Sequence, residues 1–220
     1  MAELHFFIEG ITPRAQTFTP ALTMQLRIVN GAPEPVHALL LRCQVQIDAP
    51  RRRYGRGEQE RLAPLFAEPE RWDQTLRPLH WQIVTALVGG FIGTTITEVD
   101  LACSLDFGLA ATQYLASAEQ EPVPLRLFFS GTLFYRPPEP AAAAVQAAPI
   151  DWNLEAAYRM PAAAWREAIT ACCGATAWLP LQQDAFARLL RFRSVAGHSN
   201  WEQTIEALLP EAAAQRTEAA

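Results

Sequence analysis

The feature that most constrains this chain is a succession of short segments in which apolar and polar residues alternate, each closed by turn formers, with little helical pattern between them. Thr23 to Val29 shows it most cleanly: Met24, Leu26 and Ile28 fall on one side, Thr23, Gln25 and Arg27 on the other, and Asn30-Gly31 ends the run. Val36 to Ile47 follows, its later half setting Cys43, Val45 and Ile47 against Arg42, Gln44 and Gln46. Leu4 to Ile11, His80 to Val88, Thr94 to Cys103 and Leu125 to Tyr135 are further strands, the last rich in β-formers and holding a glycine that reads as a bulge. Phe107 to Leu115 suits a strand or a helix by its apolar content and is read as a strand. Parallel winding needs a crossover helix between successive strands, and these are lacking. The pattern therefore predicts a mainly β (α+β) chain: an immunoglobulin-like antiparallel β-sandwich followed by a small C-terminal helical region. The turn-rich Asn30 to Pro35 predicts that the strands on either side of it pair as a hairpin.

Three regions are expected. Residues 1–136 form the β-sandwich domain, 137–149 (PPEPAAAAVQAAP) a Pro/Ala-rich linker poor in large apolar side chains, and 150–220 a C-terminal strand plus helical cap. Within the first, Glu58 to Phe66 reads as a short helix with Leu62, Leu65 and Phe66 at helical spacing, closed by Pro69. In the last, Trp152 to Arg159 adds a strand, and Pro161 opens a helix that Gly174 stops. Asp184 to Arg193 and Asn200 to Leu209 are two further helices, the second capped by Ser199 or Asn200.

Charge narrows the functional classes. The net charge is −5, which disfavours nucleic acid as a partner, and all 18 basic residues are arginine. Without lysine there is no Schiff-base amine and no phosphate-loop lysine. Met1 to His5 lacks the pattern of a secretory signal, and the longest uncharged run, Trp81 to Thr97, is broken by glycines and too short to span a membrane as a helix. A cytoplasmic chain without membrane insertion is expected. The four cysteines fit that setting as reduced apolar thiols; Cys43 and Cys103 could meet across facing sheets, whereas the adjacent Cys172-Cys173 lack the gap of a zinc or redox pair.

Candidate chemistry is sparse. His5, His37, His80 and His198 stand singly, and Ser130-Gly131-Thr132 lacks the upstream glycine of a nucleophile elbow. Gly89 to Gly93 is followed by β-branched residues, not by a helix N-terminus that could receive phosphates. Asp100 and Asp106 read as surface or turn-capping carboxylates. No catalytic, metal or cofactor-binding residue is assigned, and no enzyme activity is expected. The dense polar constellation is residues 51–61, with five arginines against two glutamates and Tyr54 between them. Guanidinium forks hold oxyanions bidentately and tyrosine stacks, so Arg51, Arg52, Arg53 and Tyr54 are the candidate partner-binding residues, with Trp72, Trp152 and Trp178 as aromatic neighbours of an interface. The competing reading is an internal latch in which these arginines pair with Glu58, Glu68, Glu70 or Asp73.

The segments LRCQVQI, RRRY, PERW, TLRPLHW, VDLACSLDF, PLRLFFSGTLFY and EAAYRMPAAAW, spread over nearly the whole chain, resemble an uncharacterised bacterial domain-of-unknown-function family of about this length. Members of that family are often encoded beside nickel-iron hydrogenase genes. The resemblance implies an accessory or assembly protein that binds another protein, such as a hydrogenase subunit or maturation factor. The alternative is a small-molecule or cofactor binder with its pocket between sandwich and helical cap.

Overall fold

The computed structural model describes residues 3–218 except 16, 107, 137–143 and 175–180. In sequence order its elements are β1 (Leu4–Pro13), β2 (Ala21–Asn30), β3 (Val36–Ile47), α1 (Arg56–Phe66), α2 (Trp72–Thr75), β4 (Leu79–Val88), β5 (Thr94–Ala102), α3 (Ala110–Ser117), β6 (Val123–Tyr135), β7 (Gln146–Pro149), β8 (Glu155–Met160), α4 (Ala162–Cys173), α5 (Gln183–Ala196) and α6 (Trp201–Glu218). The protein forms two compact units, Met1–Ala177 and Trp178–Ala220.

The first unit is mainly antiparallel β. One sheet has the order β1-β2-β5; the other runs β4-β3-β6, with β7 and β8 both paired to β6. The alternation in the sequence has its cause here: Leu22, Met24, Leu26 and Ile28 of β2 are buried, as are Leu39, Leu41, Cys43, Val45 and Ile47 of β3 and Leu125, Leu127 and Phe129 of β6. Each such side chain contributes about 1.5–3 kcal/mol on leaving water, so these faces dominate the fold's stability. Phe6 of β1 stacks on Phe129 of β6, ring centroids 4.2 Å apart, joining the two sheets through one core.

Four expectations change. The second and third strands do not pair as a hairpin: β2 lies between β1 and β5, and β3 between β4 and β6, so residues 31–35 lead from one sheet to the other. Phe107 to Leu115 is not a strand, because Ala110–Ser117 is helical and buries Ala111, Tyr114 and Leu115. The end of the expected 137–149 linker is structured, Gln146–Pro149 pairing with Thr132 to Tyr135. Gly131 is also not a bulge in the β3–β6 ladder, where the register runs evenly from Ala38 to Ile47. Its φ is +157°, and a Cβ there would lie 2.1 Å from the Leu40 carbonyl oxygen, so glycine is what lets the two strands approach. On the other side of β6, pairing with β8 ends at Phe128 and pairing with β7 begins at Thr132.

Two insertions leave the same end of the sheets. Residues 48–78, joining β3 to β4, hold a 3-10 turn (Ala49–Arg51), α1 and α2; residues 103–122, joining β5 to β6, hold α3. Gln82 ties the sheets together at this end, exchanging two hydrogen bonds with the backbone of Ala102 (3.1 and 3.3 Å). Pro161 precedes α4 and Gly174 caps it at φ +63°, as the sequence pattern predicts.

In the second unit, α5 ends on Gly197 in the left-handed conformation (φ +71°) and α6 begins after Asn200, whose side-chain oxygen accepts the Gln203 N–H at 2.8 Å. Phe186 of α5 packs on Trp201 of α6 with centroids 5.6 Å apart, and the Arg193 guanidinium lies 4.7 Å from the same indole. Among the described residues, no helix is long and apolar enough to cross a membrane.

Candidate functional site

The run Ala49-Pro50-Arg51-Arg52-Arg53-Tyr54 leaves β3 through a 3-10 turn that sends consecutive side groups in different directions. Arg52 goes inward. Its guanidinium arm is 1% exposed, its Nη2 donates to Glu58 Oε1 at 2.7 Å, and Nη2 and Nε both donate to the Glu121 carbonyl at 2.8 and 3.2 Å. Glu58 sits in the first turn of α1, where its carboxylate favours the helix dipole. It also accepts the backbone N–H groups of Glu119 (2.8 Å) and Gly55 (3.2 Å). One ion pair thus clamps the β3–β4 insertion to the β5–β6 insertion.

Tyr54 is enclosed in the same cluster. Its hydroxyl donates to the Ala49 carbonyl at 2.7 Å; with that single proton used, the Tyr114 hydroxyl 2.7 Å away is the donor between the two phenols. The Tyr54 ring meets Trp72 edge-on at 4.9 Å and Tyr114 at 6.2 Å, and Phe66 completes the set at 6.0 Å from Trp72. Trp72 is buried and donates its indole N–H to the Ala67 carbonyl at 2.9 Å. Burial raises the proton affinity of both Tyr54 and Tyr114, so both remain neutral phenols at physiological pH. Arg52, Tyr54 and Trp72 are therefore occupied inside the protein, and the latch expected with Glu58 forms through Arg52.

Arg51 and Arg53 point outward. Arg51 Nε lies 3.3 Å from Oδ2 of the buried Asp48, leaving its terminal nitrogens without a partner among the described residues. Arg53 has no ion pair among them. Trp152, in the turn between β7 and β8, is 90% exposed. Trp178 lies outside the described residues.

Arg51 also borders a groove of about 180 Å³ at the start of β6, shared with Arg126 and Arg159. The register explains the clustering: Pro124 faces Arg159 and Arg126 faces Ala157 across the β6–β8 pair. Directly opposed residues share a face, so Arg126 and Arg159 are diagonal neighbours with the small apolar Pro124 and Ala157 at the other corners. Arg126 is held by Glu155 at 3.0 Å and lies 5.1 Å from the Phe128 ring; Arg159 has no partner among the described residues. Sequence reasoning missed Arg126 and Arg159. The usable signal was their shared outward phase on two strands, which becomes a cluster once those strands are paired.

The remaining polar groups do not converge. Asp100 pairs with Arg14, and Asp106 accepts the Gly108 N–H at 2.8 Å as a turn cap. Cys43 and Cys103 are free buried thiols, each pushed up to about 12 by desolvation, which keeps them protonated and poorly nucleophilic. Among the described residues, no three His, Cys, Asp or Glu side groups are placed together to hold a metal ion.

The molecule is thus a two-sheet antiparallel protein with a sealed polar clamp at one end and an arginine-bordered groove beside it. It belongs to the family of unknown function DUF6084, whose sequence profile matches residues 1–217. No curated protein matches the sequence. Among solved structures it is similar to a crystal structure of a Bordetella pertussis protein given the name ApaA, at 14% identity over 73% of this protein and 95% of that one, with a TM-score of 0.30.

Proposed function

We propose that this protein is a non-enzymatic, cytoplasmic accessory or assembly module that binds another protein through the surface bearing Arg51 and Arg53. The observation that carries this reading is the contrast within one tripeptide. Arg52 is consumed by the clamp, whereas its two neighbours present guanidinium groups to solvent, Arg51 beside Arg126 and Arg159, on a molecule whose net charge is −5. A local cationic face on an acidic protein orients an acidic partner and disfavours cationic ones. Trp152 adds an exposed aromatic of the type enriched in interfaces.

The first unit serves in this reading as an immunoglobulin-like β-sandwich. Supporting it is the strand order, β1-β2-β5 against β4-β3-β6 with a final edge strand split into β7 and β8. The family resemblance extends the proposal to a bacterial nickel-iron hydrogenase subunit or maturation factor as the partner. The test is co-purification: the tagged protein is expected to retain a hydrogenase component from a native host, and the double variant Arg51→Ala, Arg53→Ala to lose it while far-ultraviolet circular dichroism verifies that it remains folded, since Arg51→Ala also takes the ion-pair partner from the buried Asp48. Retention of no such component, or equal retention by the double variant, overturns the proposal.

A further inference from the structure

We infer that the groove between Arg51, Arg126 and Arg159 is a receptor for a single carboxylate carried on an aliphatic stem, namely a glutamate side group of the bound protein. The inference rests on the protein-binding reading above and names the chemistry that the surface selects. Three guanidinium groups border the groove, with Asp48 in its lining and Glu155 on Arg126 at 3.0 Å. Those charges leave a surplus of one positive charge, which one carboxylate neutralises and a phosphate dianion would over-compensate. Asp48 approaches Arg51 at Nε (3.3 Å), no hydrogen bond holds the terminal nitrogens of Arg51 among the described residues, and Arg159 has no partner among them, so donor nitrogens from two elements are available to one ligand. Diagonal cross-strand neighbours stand about 7–8 Å apart at the backbone, a span over which two long guanidinium arms can converge on one oxyanion.

The floor distinguishes a stem-borne carboxylate from a bare anion. Pro124 and Ala157 are the two apolar corners of the square that Arg126 and Arg159 complete, so methylene groups can lie on them while the head group reaches the arginines. A glutamate supplies two methylenes before its carboxylate. The free carboxyl terminus of a polypeptide offers the same head group, and the experiment separates the two sources.

The test uses the full-length protein and fluorescence anisotropy of labelled peptides at low salt. One peptide is a short Glu-rich sequence with both ends blocked; the other is Ala-rich with a free terminal carboxylate. The expected result is saturable binding of the blocked Glu peptide that weakens about tenfold in Arg159→Gln, the loss of one charge-assisted contact, with no change in Arg191→Gln of the second unit. Arg159 has no partner among the described residues, so its replacement leaves the fold intact, and an unchanged thermal transition verifies this. Preferential binding of the Ala-rich peptide, displacement by an equal concentration of inorganic phosphate, an equal loss in Arg191→Gln, or no binding at all each overturns the inference. If the Glu peptide fails while a hydrogenase component still co-purifies through Arg51 and Arg53, the groove chemistry is refuted and the accessory role stands.

Discussion

The clamp between Arg52 and Glu58 allows a quantitative prediction. Replacing Arg52 with methionine keeps much of the side group's length but removes the 2.7 Å ion pair and both donations to the Glu121 carbonyl. Glu58, whose carboxylate arm is 4% exposed, is then left buried with only the Glu119 and Gly55 amides as partners. Breaking one side of a buried pair costs about 3–5 kcal/mol, because the orphaned charge keeps its desolvation penalty. In a unit of this size that lowers the midpoint of thermal unfolding by about 10 °C. Glu58→Leu orphans the arginine and should cost a similar amount, whereas Arg52→Met with Glu58→Leu removes both charges and should cost less than the sum by at least about 2 kcal/mol. Urea unfolding of the four proteins, followed by near-ultraviolet circular dichroism of the Tyr54, Tyr114 and Trp72 cluster, closes the cycle. Additivity within about 0.5 kcal/mol would refute the claim that the two residues act as one buried unit.

Two further outcomes follow from the core. Gly131→Ala should destabilise by about 3 kcal/mol, since the new Cβ meets the backbone oxygen of Leu40 at 2.1 Å and no flexible group is there to move aside; Gly10→Ala, with nothing within 4 Å, is the matched control, and equal urea midpoints for the two would contradict the close approach. Alkaline pH should also weaken the fold: burial pushes the Cys43 and Cys103 thiols up to about 12, so above about pH 9 the unfolded state releases protons that the native one keeps. Their stabilisation is complete below that pH and falls by about 1.4 kcal/mol per pH unit for each thiol as pH rises towards the folded values, with Tyr54 and Tyr114 adding to the loss from about pH 10. Urea midpoints that stay flat between about pH 8 and 10, or that fall equally in a Cys43→Ala, Cys103→Ala variant, would contradict this.

The strands were legible because burial on one face writes a period of two into the residues. Met24, Leu26 and Ile28 are fully buried, and Thr23, Gln25 and Arg27 are not. The same signal says nothing about which sheet a strand joins, so the Asn30 to Pro35 turn suggested a hairpin where the backbone crosses between sheets. Helix α3 escaped because it is enclosed on several sides: Ala111, Thr112, Tyr114, Leu115 and Ser117 are all buried, which erases helical periodicity. At the site, Glu58 was visible as a partner six residues from Arg52, but the Glu121 carbonyl that holds the same guanidinium lies 69 residues away and carries no residue-type signal. Arg126 and Arg159 were unremarkable singly for the same reason, since only strand pairing sets them side by side.

The division of the last edge into β7 and β8 has a bearing on how this protein behaves at high concentration. A long unbroken rim of backbone donors and acceptors is a template on which a second molecule can zip up. Here the rim of β6's outer neighbours is interrupted between Pro149 and Glu155, and β8 carries Glu155 and Arg159 outward. The four residues of β7 offer little template for an intermolecular ladder, and the outward charges of β8 oppose one, so that margin of the sheet discourages self-association while leaving its charged groups accessible.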